Sequence, residues 1–301
     1  MLQCLSMNNT ERTGEILIFS KSFFWALYPI VASILVFYLS PIFALAISTL
    51  AAAIFFAILL TIQKKWHELL IRPAWKYLLP MILLLGILFY GLQFFALQYT
   101  TPGNVAIISL MEVFFTMFLL GAVTSIEKLS KITIVGGILM VIGAFFVIFQ
   151  GTLTPNPGDL LVLLATTLPP FANVFAKKAR KYMGSASIMF ARSIIAGLFL
   201  ICLAWAWGDI PTTMPSWNII GLIGINGFLI LGLSTILWIE GIHRIQISKA
   251  ISLASITPAI TLLFVYIILK QPPTIFQLLG LVPITLGVFL LTRKKVNIET
   301  L

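Results

Sequence analysis

Residues 132–146 read ITIVGGILMVIGAFF and residues 276–290 read FQLLGLVPITLGVFL. Set 144 positions apart, they match at Gly136 with Gly280, Gly143 with Gly287 and Phe145 with Phe289. The register extends back over Ala96–Phe146 and Glu240–Leu290, where Ala106 falls on Ala250. Pro41–Phe55 aligns with Ser185–Phe199 at the same offset. Pro29 with Pro170, and Gly86 and Gly91 with Gly227 and Gly232, fit an offset of 141, so a short indel separates the matched blocks. The second half of the chain repeats the first. The repeated runs are apolar throughout and lack the period-two alternation of barrel strands, which makes them helices in lipid.

Composition agrees. Charged residues make up 9% and hydrophobic ones 60%, against about 25% and 45–50% in soluble domains, and mean hydropathy is +1.09. A helix needs roughly 20 apolar residues to cross the hydrocarbon. Ten segments reach that length: Ile16–Tyr38, Pro41–Ile62, Lys76–Gln98, Gly103–Thr124, Ile132–Phe149, Pro157–Lys177, Ser185–Trp207, Trp217–Glu240, Lys249–Lys270 and Thr274–Thr292. The expected fold class is an all-α integral membrane protein of ten transmembrane helices. Five spans fill residues 1–150 and five fill 151–301. An odd number per repeat makes the second copy enter from the opposite face, so the two five-helix repeats are expected to be inverted.

The net charge of +10 follows this topology. One side of the membrane receives Arg12, Lys21, Lys64, Lys65, Arg72, Lys76, Lys128, Lys131, Lys177, Lys178, Arg180, Lys181, Arg244, Lys249, Arg293, Lys294 and Lys295, which is 17 of the 19 basic residues. The other side has only Lys270, and Arg192 lies within a span. The positive-inside rule puts both termini in the cytoplasm of a cell (inner or plasma) membrane protein. The basic loops read as orientation signals, so no nucleic-acid partner is expected. Cys4 and Cys202 suggest no disulfide, and the first dozen residues read as disordered. Trp66, Trp75, Trp205, Trp207 and Trp217 fall near span ends, where indoles favour the interface.

Several short motifs recur in order along the chain. They are Ser-Phe-Phe-Trp-Ala at 22–26, Ser40-Pro41, Glu127-Lys128-Leu129-Ser130, Ala250-Ile251-Ser252-Leu253, Thr257-Pro258, and the glycines 280 and 287. As a set they resemble the drug/metabolite transporter superfamily, specifically its EamA-type ten-span exporters, over the whole chain. The chain departs from that pattern at Ser48, where the family often carries Arg (Arg192 holds the matching place in span 7), at Phe114 in place of Pro, and at Gln271 in place of the second loop Glu. The resemblance implies a central cavity enclosed by spans 1–4 and 6–9, with spans 5 and 10 outside. It also implies movement of small metabolites, amino acids, amines or drugs.

Candidate transport residues are the ionisable groups inside spans, which are costly to bury. Glu112 lies about ten residues from one end of span 4, hence near the midplane at about 1.5 Å per residue. It can bind a cationic substrate, carry a proton, or serve structurally beside Arg192. Arg192 keeps its proton and must pair or snorkel, either clamping a carbonyl or Glu112, or meeting a substrate carboxylate. Glu240, near His243 and Arg244, reads as an interfacial salt bridge or a gate. Pro29, Pro169-Pro170, Pro258 and Pro283 should kink their spans. Trp25, Tyr28, Tyr90, Gln93, Phe94, Ser109 and Thr116 in the first half, with Thr166, Asn173, Trp238, Ser252 and Ser255 in the second, are polar or aromatic positions that either line the cavity or pack helices. Ser109, Glu112 and Thr116 share one helix face. No cofactor, metal ligand set or catalytic residue is expected. The only histidines are His67 and His243, and no HExxH or paired-Asp motif occurs. The expected function is a secondary transporter of small metabolites working by alternating access, with proton coupling through Glu112 and a homodimer both left open. The alternative is an integral membrane enzyme acting on lipids.

Overall fold

The computed structural model describes residues 2–124, 131–151, 154–245 and 247–292; the Glu127–Ser130 motif and the Arg293–Lys295 charges lie outside these. Among the described residues the secondary structure is helical, with no strand. Among the described residues nine helices are long and apolar enough to cross a membrane. They are α1 (Thr10–Tyr38), α2 (Pro41–Gln63), α3 (Arg72–Ala96), α5 (Ile132–Phe149), α6 (Pro157–Ala179), α7 (Ser185–Ala206), α8 (Trp217–Ile242), α9 (Lys249–Leu269) and α10 (Ile275–Thr292). The shorter apolar helix α4 (Pro102–Phe118) stands where the fourth span is expected, and its helical backbone runs on to Thr124. Helix precedes α1 from Leu2, so residues 2–12 are helical rather than disordered.

Capping follows from sequence. Ser40, Thr101 and Asn156 cap α2, α4 and α6 by accepting from the first-turn N–H groups, each with Pro at the next position. Both α2 and α7 end in a left-handed residue, Lys64 (φ 54°) and Gly208 (φ 73°).

Four helices are interrupted. α1 breaks between Trp25 and Tyr28, α6 between Ala165 and Pro169, and α9 between Ala254 and Thr257. In each case a proline without an amide N–H stands just after the break. α4 breaks at Leu110 without a proline, through Leu110 N–H donating to Ile107 O and Val113 N–H to Leu110 O. The freed carbonyls are recaptured: Thr257 Oγ1 donates to Ala254 O (2.6 Å), and Thr261 Oγ1 of α9 reaches Ala26 O at the α1 break (3.1 Å). α3 and α8 each carry a π-helical stretch, Ile82–Phe89 and Ile225–Leu233. Such stretches frequently mark functional sites. Pro283 is accommodated inside α10.

α5 and α10 lie against each other through glycines. A Cβ on Gly136 would stand 3.0 Å from Gly287 O, and one on Gly143 would stand 2.6 Å from Gly280 O. The reverse distances are 2.5 Å (Gly287 to Gly136 O) and 2.7 Å (Gly280 to Gly143 O). Backbones this close need glycine at the contact. The outward faces carry Ile138, Phe145, Val282 and Phe289. Trp205, Trp207 and Trp217 are exposed at helix ends.

Candidate functional site

The most polar part of the bundle interior gathers around the α1 break. Lys21, counted above with the charges of one membrane side, instead lies inside α1, about 16 Å along the helix from Thr10. The Lys21 Nζ sits 5.1 Å from the ring centroid of Trp25 and 5.1 Å from that of Trp238 in α8, a cation–π sandwich. Trp25 stacks on Tyr28 (centroids 5.1 Å apart, planes at 13°). Tyr28 in turn meets the edges of Tyr90 and Phe94 in α3. The Arg192 guanidinium of α7 lies 5.7 Å from the Tyr90 ring centroid and is within hydrogen-bonding reach of that residue. Glu112 of α4 faces the same group, its charge felt by both Lys21 and Tyr90.

So α1, α3, α4, α7 and α8 each send a predicted residue to one place. Exposure separates their roles. Arg192 is buried at 5% exposure and wedged, since a Cβ on Gly86 of the α3 π stretch would come within 3.2 Å of its Cγ. Glu112, Lys21, Trp25 and Trp238 are only half-buried. Glu112 and Arg192 form no ion pair among the described residues, so the direct clamp between them is not what the geometry provides. Gln93 is buried and donates to Ser109 Oγ (3.3 Å), joining α3 to α4, while Ser109 itself donates to Val105 O. Thr116 and Ser252 are half-buried on α4 and α9, and among the described residues no bond ties their side chains to the cluster. Asn173 is exposed, and Thr166 and Ser255 spend their hydroxyls on carbonyls of their own helices.

Two polar clusters were not singled out from sequence. At the end of the bundle opposite the basic loops, Asp159 of α6 accepts from the Thr100 hydroxyl and from Asn104 Nδ2 (2.9 and 3.1 Å), and Gln277 Nε2 of α10 donates to Asn104 Oδ1 (2.8 Å). These residues are polar but neutral or singly acidic and lie at span ends, where composition gives no warning. At the basic end, Glu68 accepts from Gly184 N–H (2.6 Å) and Ser187 Oγ (2.5 Å) at the start of α7. Burial opposes ionisation of Glu68, but those two donors, with Lys65 and His67, hold its carboxyl below its usual range.

Also at the basic end, Lys249 pairs with Glu11 (2.6 Å) and with Glu15, tying α9 to α1. Beside them Ile18, Ile245 and Ala250 form a small apolar plug. Glu240 bridges Arg244 (2.7 Å), and Arg180 meets His243 (2.7 Å). Among the described residues no three His, Cys, Asp or Glu side chains converge to hold a metal. At the far end a cleft of about 360 Å³ opens between the outer half of α1 (Ser33, Ile34, Phe37, Tyr38), the α3–α4 turn (Thr100–Pro102) and Leu269 and Gln271.

Known proteins match this chain over most of its length. The model of the EamA-like transporter family matches twice, over residues 12–149 and 156–293. The chain belongs to the EamA-like transporter family. It is similar to the uncharacterized transporter YoaV of Bacillus subtilis (23% identical; 79% of this chain, 84% of that one). It is also similar to the uncharacterized transporter YyaM of the same organism (25%; 79% and 80%). An uncharacterized transporter of Methanothermobacter thermautotrophicus is 29% identical over 64% of this chain and 57% of that one. A solved crystal structure shares the fold with TM-score 0.64 at 14% identity, covering 93% of this chain and 96% of its own. This EamA-like protein is thus a multi-pass membrane protein of a transporter family, and its Lys21–Trp25–Tyr28–Tyr90 cluster lies within the first family-matched segment.

Proposed function

We propose that this protein is a secondary transporter that moves small organic solutes by alternating access across the cell membrane, built as two inverted five-helix repeats, residues 1–150 and 151–301. One observation carries the reading: half-buried charged and aromatic side chains from α1, α4 and α8 converge beside Tyr90 and Arg192, within membrane-spanning helices. Charge placed inside a span is costly and needs a purpose.

The inverted arrangement is supported by exchanged contacts. Gly136 meets Gly287, and Gly143 meets Gly280, although Gly136 corresponds to Gly280 and Gly143 to Gly287 in sequence. Likewise Gly86 packs on Arg192 while Gly227 packs on Ser48, its repeat counterpart. Breaks in α1 and α6, and in α4 and α9, together with π stretches in α3 and α8, supply pliable points at paired positions. The Ile18, Ile245 and Ala250 cluster and the Lys249 ion pairs lie at the basic end, and the cleft lies at the other. Without Lys21, 16 of the 19 basic residues remain at one end, which favours cytoplasmic termini. Glu112 is the candidate proton carrier.

The test is counterflow. Proteoliposomes preloaded with an unlabelled amino acid, amine, nucleoside or organic anion should take up the labelled form saturably and faster than unloaded vesicles. No acceleration in any class, together with chemical change of the vesicle lipid, would replace this reading with the membrane-enzyme one.

A further inference from the structure

Lys21 has the position of a binding group rather than of a structural one. Among the described residues its ammonium makes no ion pair and donates no hydrogen bond; it rests between two indole faces, each 5.1 Å away. An ammonium has three donors, and indole faces satisfy its charge without accepting those protons in line. Glu112 of α4 makes no ion pair with it among the described residues. The second cation, Arg192, is already committed: it is buried, packed on Gly86 and engaged with Tyr90. Lys21 is therefore the half-buried cation with donors to spare. With Arg192 counted, the site holds two positive groups against one carboxylate.

We propose that Lys21 selects the charge of the solute: the site takes a small molecule bearing a carboxylate, which accepts from the Lys21 ammonium, while a flat apolar body lies against the half-buried indoles of Trp25 and Trp238. Trp25 and Tyr28 stack face to face, their planes 13° apart, so the buried Tyr28 backs the indole beside the ammonium. Trp238, from α8, closes the other side. Anion binding pulls the ammonium off the indoles, so α1 and α8 lose their shared cation when the solute is bound. The inference rests on the transport reading only for the word solute; the binding chemistry stands separately.

The experiment compares three probes of one shape, 3-phenylpropionate, 2-phenylethylamine and 3-phenylpropanol, on purified full-length protein, by thermal stabilisation and tryptophan fluorescence. A ligand bound only by the folded state raises the melting temperature. The expected result is stabilisation and a saturable fluorescence change with the carboxylate alone. Lys21→Gln should lose both responses, and Lys21→Arg should recover part of them. Lys21→Gln that is still folded, monodisperse and responsive to 3-phenylpropionate would overturn the proposal, as would binding of the amine in preference to the acid or no binding of the carboxylate by the native protein. If Lys21→Gln does not fold, competition of 3-phenylpropionate with an excess of the amine on native protein decides, because only a shared anion-blind site is cleared by the amine. Counterflow separates the two readings. Carboxylate binding without counterflow sinks transport and leaves Lys21 standing; counterflow undiminished in Lys21→Gln does the reverse.

Discussion

Adding one methyl group at Gly143 tests the α5–α10 contact most directly. Its Cβ would stand 2.6 Å from Gly280 O and 2.6 Å from Ile284 Cγ1, where about 3.5 Å is the closest comfortable approach. The obstructing oxygen is backbone, so relief requires the two helices to part by roughly 1 Å. Overpacking of this kind costs about 1–3 kcal/mol, against about 1 kcal/mol gained from replacing glycine by alanine in a helix. Gly143→Ala should therefore lose up to about 2 kcal/mol net. Gly221→Ala is the control, because nothing lies within 4 Å of its added Cβ; it should gain up to about 1 kcal/mol. The two variants then differ by about 1–3 kcal/mol, and at about 2–4 °C per kcal/mol they should melt roughly 2–12 °C apart in tryptophan-detected unfolding of the detergent-solubilised protein. Gly280→Ala, placed 2.7 Å from Gly143 O, should behave like Gly143→Ala. The double variant should lose less than the sum, since one separation of the helices relieves both contacts. Gly143→Ala melting together with Gly221→Ala would refute the close backbone approach.

Three further outcomes are expected. Glu112→Gln should flatten the pH dependence of transport in proteoliposomes while leaving the melting temperature near that of the parent; an unchanged pH profile removes the proton role. Thr261→Val leaves the Ala26 carbonyl at the α1 break without its partner, which should cost about 1–3 kcal/mol in thermal unfolding, whereas Thr261→Ser should be nearly silent. Acid should act in two windows. His243 is held below its usual range by burial first and then by Arg180, so the unfolded chain binds that proton more readily and stability should fall as pH drops through about 6.5. Glu68, with a lowered folded value, contributes stability above about pH 4.3 that is lost on further acidification. His243→Gln should remove only the first window and Glu68→Gln only the second.

The helical class, the span positions and the repeat were legible because each rests on many residues: long apolar runs, prolines and glycines in register. The breaks in α1, α6 and α9 were legible through proline. The break at Leu110 was not, because no proline or glycine stands beside it in the sequence. Within the site, Trp25, Tyr28, Tyr90, Arg192, Glu112 and Trp238 could be picked as polar or aromatic groups in apolar spans. That Arg192 lies on Tyr90 rather than on Glu112 depends on how α3 and α7 approach through Gly86, a three-dimensional fact. Lys21 was hidden by its place five residues inside a predicted span boundary, where hydropathy counts it as loop charge. Asp159, Asn104 and Gln277 come from three separate stretches of chain and acquire meaning only once their helix ends meet.

The glycine contact between α5 and α10 has the form of an isologous interface, in which residue i meets j and the equivalent of j meets that of i. Such interfaces ordinarily join two copies of one chain; here a single chain supplies both faces. A one-residue insertion in either helix would put both close contacts out of step at once, so the two segments are bound to keep a common length. Substitutions can drift along the outward faces of Ile138, Phe145, Val282 and Phe289, but spacing between Gly136 and Gly143 has to be matched, residue for residue, by that between Gly280 and Gly287.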